Sequence, residues 1–163
     1  MAKVLVIGFG NPLRSDDSFG IQTVERLKAS VEAEEVEFVE CQQLTPELAE
    51  PVSRADLVLF VDADMDGVAG SIHSRRVLPE VRRRSSDALV HHLDPQALLG
   101  LSETLYQHAP HAMLMTVTGE CFGYGSQLSP EVEKALPGVV EHMKELIAER
   151  VVDRKHQPAL TRH

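Results

Sequence analysis

Apolar residues recur along this chain in two rhythms. Short unbroken runs end at glycine or acid, and longer segments repeat at three- and four-residue intervals. Val4-Leu5-Val6-Ile7 is the first run. It is rich in β-branched residues and closed by Gly8, which predicts a strand buried on both faces. Gly8-Phe9-Gly10-Asn11-Pro12 breaks it with turn chemistry. Phe19, Ile21, Val24 and Leu27 then fall near helical spacing, so a helix follows. Asp16 and Asp17 sit at its entrance. Val36 to Val39 is the second strand, and Thr45-Pro46 opens a short helix as N-cap and first residue. Asp56 to Asp62 holds another fully apolar strand that stops at an acid. Ser71 to Leu78 reads as an edge strand, because it carries His73, Arg75 and Arg76. After a polar connector, a helix from about Asp94 shows Leu98, Leu101 and Leu105 at helical intervals. Ala112 to Val117 is the last central strand. Ser129-Pro130-Glu131 starts the final helix, with Val132, Leu136, Val139, Val140, Met143 and Leu146 as its apolar face.

Strands alternating with helices predict an α/β fold, a three-layer sandwich with a mostly parallel sheet and helices on both faces. Residues 1–152 form one domain, and the polar tail 153–163 is expected to fray. In the flavodoxin-like strand order, strands one and three are neighbours, and a crevice opens at their carboxyl ends. Asp17 follows strand one and Asp62 ends strand three, so the two meet there. His91, just ahead of a helix, could close the same site.

Composition narrows the function. The chain has 163 residues, 43% of them hydrophobic and 25% charged, the mix of a soluble globular domain. No apolar run is long enough to span a membrane. Met1-Ala2-Lys3 leads straight into a strand, so no signal peptide is expected. Cys41 and Cys121, the only cysteines, make no disulfide framework, which fits a reducing cytoplasm. A net charge of −9 argues against a nucleic-acid partner. Arg75, Arg76 and Arg82 to Arg84 form a basic exception; a solvated connector is the plain reading and an acidic partner surface the alternative.

The first loop is not a dinucleotide fingerprint. Gly8 and Gly10 fit GxGxxG, but Leu13 stands where the third glycine belongs. Pro12 removes a backbone N–H, and two carboxylates at a helix N-terminus would repel phosphate. The helix dipole keeps such acids ionised, which suits a cation. For Asp16 the plain reading is helix capping, by itself or by Ser15. That leaves Asp17 as the functional candidate. Asp17, Asp62 and His91 make an oxygen, oxygen, nitrogen set suited to zinc, nickel, iron or cobalt, with coordination positions left open. Plainer readings exist: Asp62 could end its strand by bonding backbone N–H groups. His91 or His92 could be a surface histidine among eight, and Asp64 and Asp66 read as a solvated turn. GxSxG, HExxH and P-loop motifs are absent.

These residues resemble a known family. Val6 to Gly20, read as VIGFGNPLRSDDSFG, is similar to the N-terminal motif of nickel–iron hydrogenase maturation endopeptidases. Leu59-Phe60-Val61-Asp62-Ala63 resembles their second motif, and His91-His92-Leu93 followed by Leu98-Leu99 their histidine motif. Gly125 to Val132 resembles the segment entering their last helix. The resemblance spans residues from about 3 to 150. It implies a flavodoxin-like fold and a hydrolase that cuts near the C-terminus of a hydrogenase large-subunit precursor. The cut follows nickel insertion, with the precursor's nickel sensed through an acid, an acid and a histidine. Carried over, these are Asp17, Asp62 and His91; the spacing to Leu98-Leu99 favours His91 over His92. Some members carry Glu in place of Asp17. The precursor tail is expected to dock against Phe9, Leu13 and Phe19, and the protein is expected to act as a monomer. A non-proteolytic chaperone for the metal-loaded large subunit is the alternative.

Overall fold

The computed structural model describes residues 4–32, 34–80 and 93–155, with side chains described as far as 151. His91, His92 and Arg82 to Arg84 lie outside the described residues. Five strands are found among them: β1 (Val4–Phe9), β2 (Val36–Cys41), β3 (Leu57–Asp64), β4 (Ile72–Arg76) and β5 (His111–Thr118). They lie in the order β2-β1-β3-β5-β4. The strands β2, β1, β3 and β5 are parallel, and β4 runs antiparallel to β5.

β1 and β3 are direct neighbours, as expected, with Val4 opposite Leu57 and Gly8 opposite Val61. β4 is the expected edge strand, and all five of its residues are exposed. Its direction follows from the loop before it. Residues 65–71 are too few for a crossover, which takes a dozen or more. The chain therefore stays at the carboxyl end of β3 and must run back.

Among the described residues, four helices cover the sheet: α1 (Phe19–Ser30), α2 (Ala49–Ser53), α3 (Pro95–Tyr106) and α4 (Pro130–Lys155). Alternation along the strands divides the core in two. Val4, Val6, Leu59 and Val61 pack with Phe19, Val24 and Leu27 of α1 and with Leu136 and Met143 of α4. Leu5, Ile7, Val58 and Phe60 pack with Val52 of α2 and with Leu98 and Leu99 of α3. This is the three-layer α/β sandwich. Each fully buried Leu or Phe contributes about 1.5–3 kcal/mol, so both faces are needed. In α3 the buried pair is Leu98 and Leu99, whereas Leu105 of the expected stripe is 57% exposed.

The starts of the helices follow local chemistry unevenly. Asp94 caps α3 by accepting the Ala97 N–H at 2.8 Å, ahead of Pro95. Thr45 makes no such side-chain bond, and Pro46 opens a 3₁₀ turn that continues into α2.

α1 lies close against the sheet because Gly20 has no side chain. A Cβ there would press on the Val61 carbonyl oxygen and come within 2.9 Å of the Phe9 backbone nitrogen. In a free helix, alanine at this position would stabilise by about 1 kcal/mol. Here Gly20→Ala is expected to destabilise by about 2 kcal/mol, because overpacking outweighs propensity. Urea denaturation of the variant measures the sign.

Candidate functional site

The carboxyl ends of β1 and β3 open onto a crevice of about 660 Å³. Asp17 and Asp62 both line it, with Phe9, Gly10, Leu44 and Leu114 among the other walls. Two acids far apart in sequence are thus brought together by strand pairing. The Phe9 and Phe60 rings meet edge-on with centroids 6.5 Å apart, which gives this end of the sheet an apolar footing.

Asp17 is placed by the loop that follows β1. Gly10 has φ +143°, and a Cβ there would collide with the Asp17 carbonyl oxygen. The chain can therefore fold back, and the Asn11 N–H donates to Asp17 Oδ2 at 2.8 Å. Asp17 itself lies in a 3₁₀ turn over Ser15–Ser18.

Asp62 does not end its strand as expected: β3 runs on to Asp64, with Asp62 paired to Thr116 of β5, and Asp62 is half-buried on the face shared with Val58 and Phe60. Burial pushes its carboxyl up to about 7. The Ala63 N–H opposes that shift, while the negative charges of Asp17 and Asp64 add to it. Asp62 therefore keeps its proton to a far higher pH than an ordinary carboxyl. A cation entering the crevice would replace that proton, as metal binding at carboxylates does. Asp64 Oδ1 is also buried, with no hydrogen-bond partner among the described residues, which departs from the solvated-turn reading. Asp66 is exposed, in keeping with it.

Leu93 and Asp94 line the crevice too. The histidine position sits just before them in the sequence, outside the described residues. Among the described residues, no three His, Cys, Asp or Glu side chains are grouped to hold a metal. The two acids share a cavity, and the described residues supply no third ligand from elsewhere.

Three expectations need correction. Neither α1 nor the 3₁₀ turn before it has a side-chain cap, so Ser15 and Asp16 do not cap the helix. Ser15 Oγ donates to the Gly123 carbonyl at 2.8 Å. Asp16 is fully buried and accepts from the N–H groups of Glu120, Cys121 and Ser129 and from the Ser129 hydroxyl, at 2.6–2.8 Å. Burial works to raise its pKa, but these bonds together prevail and hold the carboxyl below the usual carboxylate range. Phe19 is fully buried between α1 and the sheet and contributes nothing to the crevice. Leu13 is 61% exposed and Phe9 alone of the three lines the cavity. The adjacency of two acids was the one sequence signal for Asp16. Consecutive residues of a tight turn cannot face the same way, so one had to point inward.

No family model matches the chain. Hydrogenase expression/formation protein HupD of Thiocapsa roseopersicina is 27% identical over 160 residues, which covers 95% of this chain and 72% of HupD. Among solved structures, the hydrogenase maturating endopeptidase HybD from E. coli superposes with a TM-score of 0.70 at 22% identity. The match covers 90% of this chain and 93% of HybD. The [NiFe] hydrogenase maturation protease HycI from Thermococcus kodakarensis gives 0.69 at 23% identity, over 91% and 92%. The resemblance read from the motifs is borne out, in sequence by HupD and in fold by the two endopeptidases. No helix among the described residues is long and apolar enough to cross a membrane.

The raised carboxyl of Asp62 has a consequence for stability. Its charged form is worse solvated folded than unfolded, so the protein loses stability through this group as pH rises from about 4 to about 7. A tenfold difference in proton affinity between the two states corresponds to about 1.4 kcal/mol. Asp62→Asn removes the ionisation. The variant is expected to exceed the wild type by about 2–4 kcal/mol at pH 8 and to match it below pH 4. Paired denaturation curves at the two pH values measure the difference.

Proposed function

We propose that this chain is a hydrogenase maturation endopeptidase. It removes the C-terminal extension of a nickel–iron hydrogenase large-subunit precursor once nickel is in place. Asp17, Asp62 and His91 recognise the nickel, which arrives with the substrate rather than residing in the protease. The observation that carries this reading is the shared crevice of Asp17 and Asp62 on a fold like that of HybD and HycI.

The chemistry of the site favours a cation that is presented and not stored. Two carboxylates alone bind a free divalent ion weakly, and burial makes one of them reluctant to ionise. A nickel already held by the precursor needs only the missing donors. Two oxygens and an imidazole are acceptable partners for it. Leu93 and Asp94, which follow the His91-His92 pair in sequence, lie in the crevice wall, which supports a nitrogen donor from that pair; the spacing to Leu98-Leu99 favours His91. Once docked, the scissile peptide would lie beside the metal. A nickel held there would supply Lewis-acid polarisation of the scissile carbonyl, and a carboxylate of the site would hold the attacking water. A peptide bond is broken, water supplies hydroxyl to the new carboxylate, and the leaving amine takes the proton.

Asp17→Ala, Asp62→Ala and His91→Ala are each expected to slow processing of nickel-loaded precursor by about a hundredfold or more. The nickel-free precursor is expected to stay uncut by the wild type. Mass spectrometry of the precursor after incubation reads both results. Normal shortening by all three variants would sink the assignment. Tight binding of an intact precursor by the wild type would instead indicate a chaperone.

A further inference from the structure

The buried carboxylate of Asp16 has no part in the reaction as proposed above. It neither lines the crevice nor caps a helix. Yet it is fully buried and takes four hydrogen bonds from residues more than a hundred positions away. Its own N–H donates to the Cys121 carbonyl at 2.9 Å, and the Ser15 N–H donates to the Gly125 carbonyl at 2.7 Å. The Gly125 N–H returns a bond to the Leu13 carbonyl at 2.9 Å. The segment 13–16 is therefore fastened along the loop 120–129 at both backbone and side chain. Asp17 is the next residue, held from the other side by the Asn11 N–H.

We infer that Asp16 is a positioning residue: its anchorage to the loop 120–129 and to Ser129 fixes the turn that aims Asp17 into the crevice. Asp17 sits between two fastenings, Asn11 in front and Asp16 behind. A fully satisfied buried carboxylate is rigid, because any rotation leaves a donor unpaired. Asparagine at position 16 keeps the shape but turns an NH₂ group toward donors, so the turn must shift to relieve them. A ligand displaced by a fraction of an ångström is enough to slow a reaction that depends on its geometry. The relevance to catalysis rests on the function proposed above; the positioning itself does not.

The Asn11 amide reports on Asp17 without any substrate. In Asp16→Asn, its hydrogen exchange is expected to speed up by about tenfold, with a smaller rise in Ser129→Ala, which loses one of the four bonds. Ile147→Ala, a core change in α4, serves as a control for general loss of stability and is expected to leave the Asn11 rate within about twofold. Processing of nickel-loaded precursor is expected to fall by about tenfold in Asp16→Asn and to be retained in Ile147→Ala at a temperature where both are folded. An unchanged Asn11 rate in both variants at 16 and 129 overturns the inference. So does an equal rise in Ile147→Ala, or processing that survives a shifted Asn11. If Asn11 responds as expected and the wild type shortens no precursor, the positioning stands and the assigned reaction falls.

Discussion

The lateral pairing of β1 with β3 is the constraint on which the site depends. Val4 lies opposite Leu57 and Gly8 opposite Val61, so the end of β1 comes beside the stretch of β3 that carries Asp62, and β3 runs on to Asp64. Their following segments then diverge, one into the turn that carries Asp17, the other past Asp62 toward the edge of the sheet. A shift of one residue in this register would turn Asp62 to the opposite face, toward α1. Gly20 lets α1 sit close enough against Phe9 and Val61 to keep the two strand ends covered. The crevice is thus a product of backbone packing before any side-chain chemistry enters.

Two neighbouring parts of that end of the sheet treat a carboxylate in opposite ways. Asp16 is buried and still held in its charged form, because four donors converge on it. Asp62 is half-buried with the Ala63 N–H helping it and two other acids opposing, so its proton is retained up to about neutral pH. Burial raises both carboxyls, and the difference is made by the four donors that offset it at Asp16. Asp16 is stabilised where it stands, and such a group does structural work. Asp62 is left in want of positive charge, as a group waiting for a cation would be.

Much of the architecture was legible in the chain. Val4 to Ile7 and Leu57 to Val61 are apolar without alternation, and only a strand covered on both faces tolerates that. Asp94-Pro95 marked the start of α3, where Asp94 caps the first turn, and Ser129-Pro130 marked the start of α4, although the Ser129 hydroxyl is spent on Asp16 and not on a cap. Arg75 and Arg76 marked β4 as an edge, since charged side chains suit only an uncovered strand. Other readings failed where local and distant partners compete. Ser15 and Asp16 have the chemistry of a cap, but their oxygens went to a loop more than a hundred residues on. Phe19 stands beside the site in sequence, yet helical geometry turns it into the core.

What the sequence determined by itself was the order of strands and helices, the identity of two acids near the carboxyl ends of the first and third strands, and a motif set shared with known proteins. Those depend on periodicity and on residues within a few positions of one another, which sequence records directly. What only the tertiary structure decided was which acid faces the crevice and which is buried, and how their charges are tuned. Both are set by groups that arrive from distant segments: the Ser129 hydroxyl and the Glu120 and Cys121 amides for Asp16, and the Asp17 charge for Asp62. No local pattern encodes such meetings, because the distance between them in space is fixed by the sheet and not by the spacing along the chain.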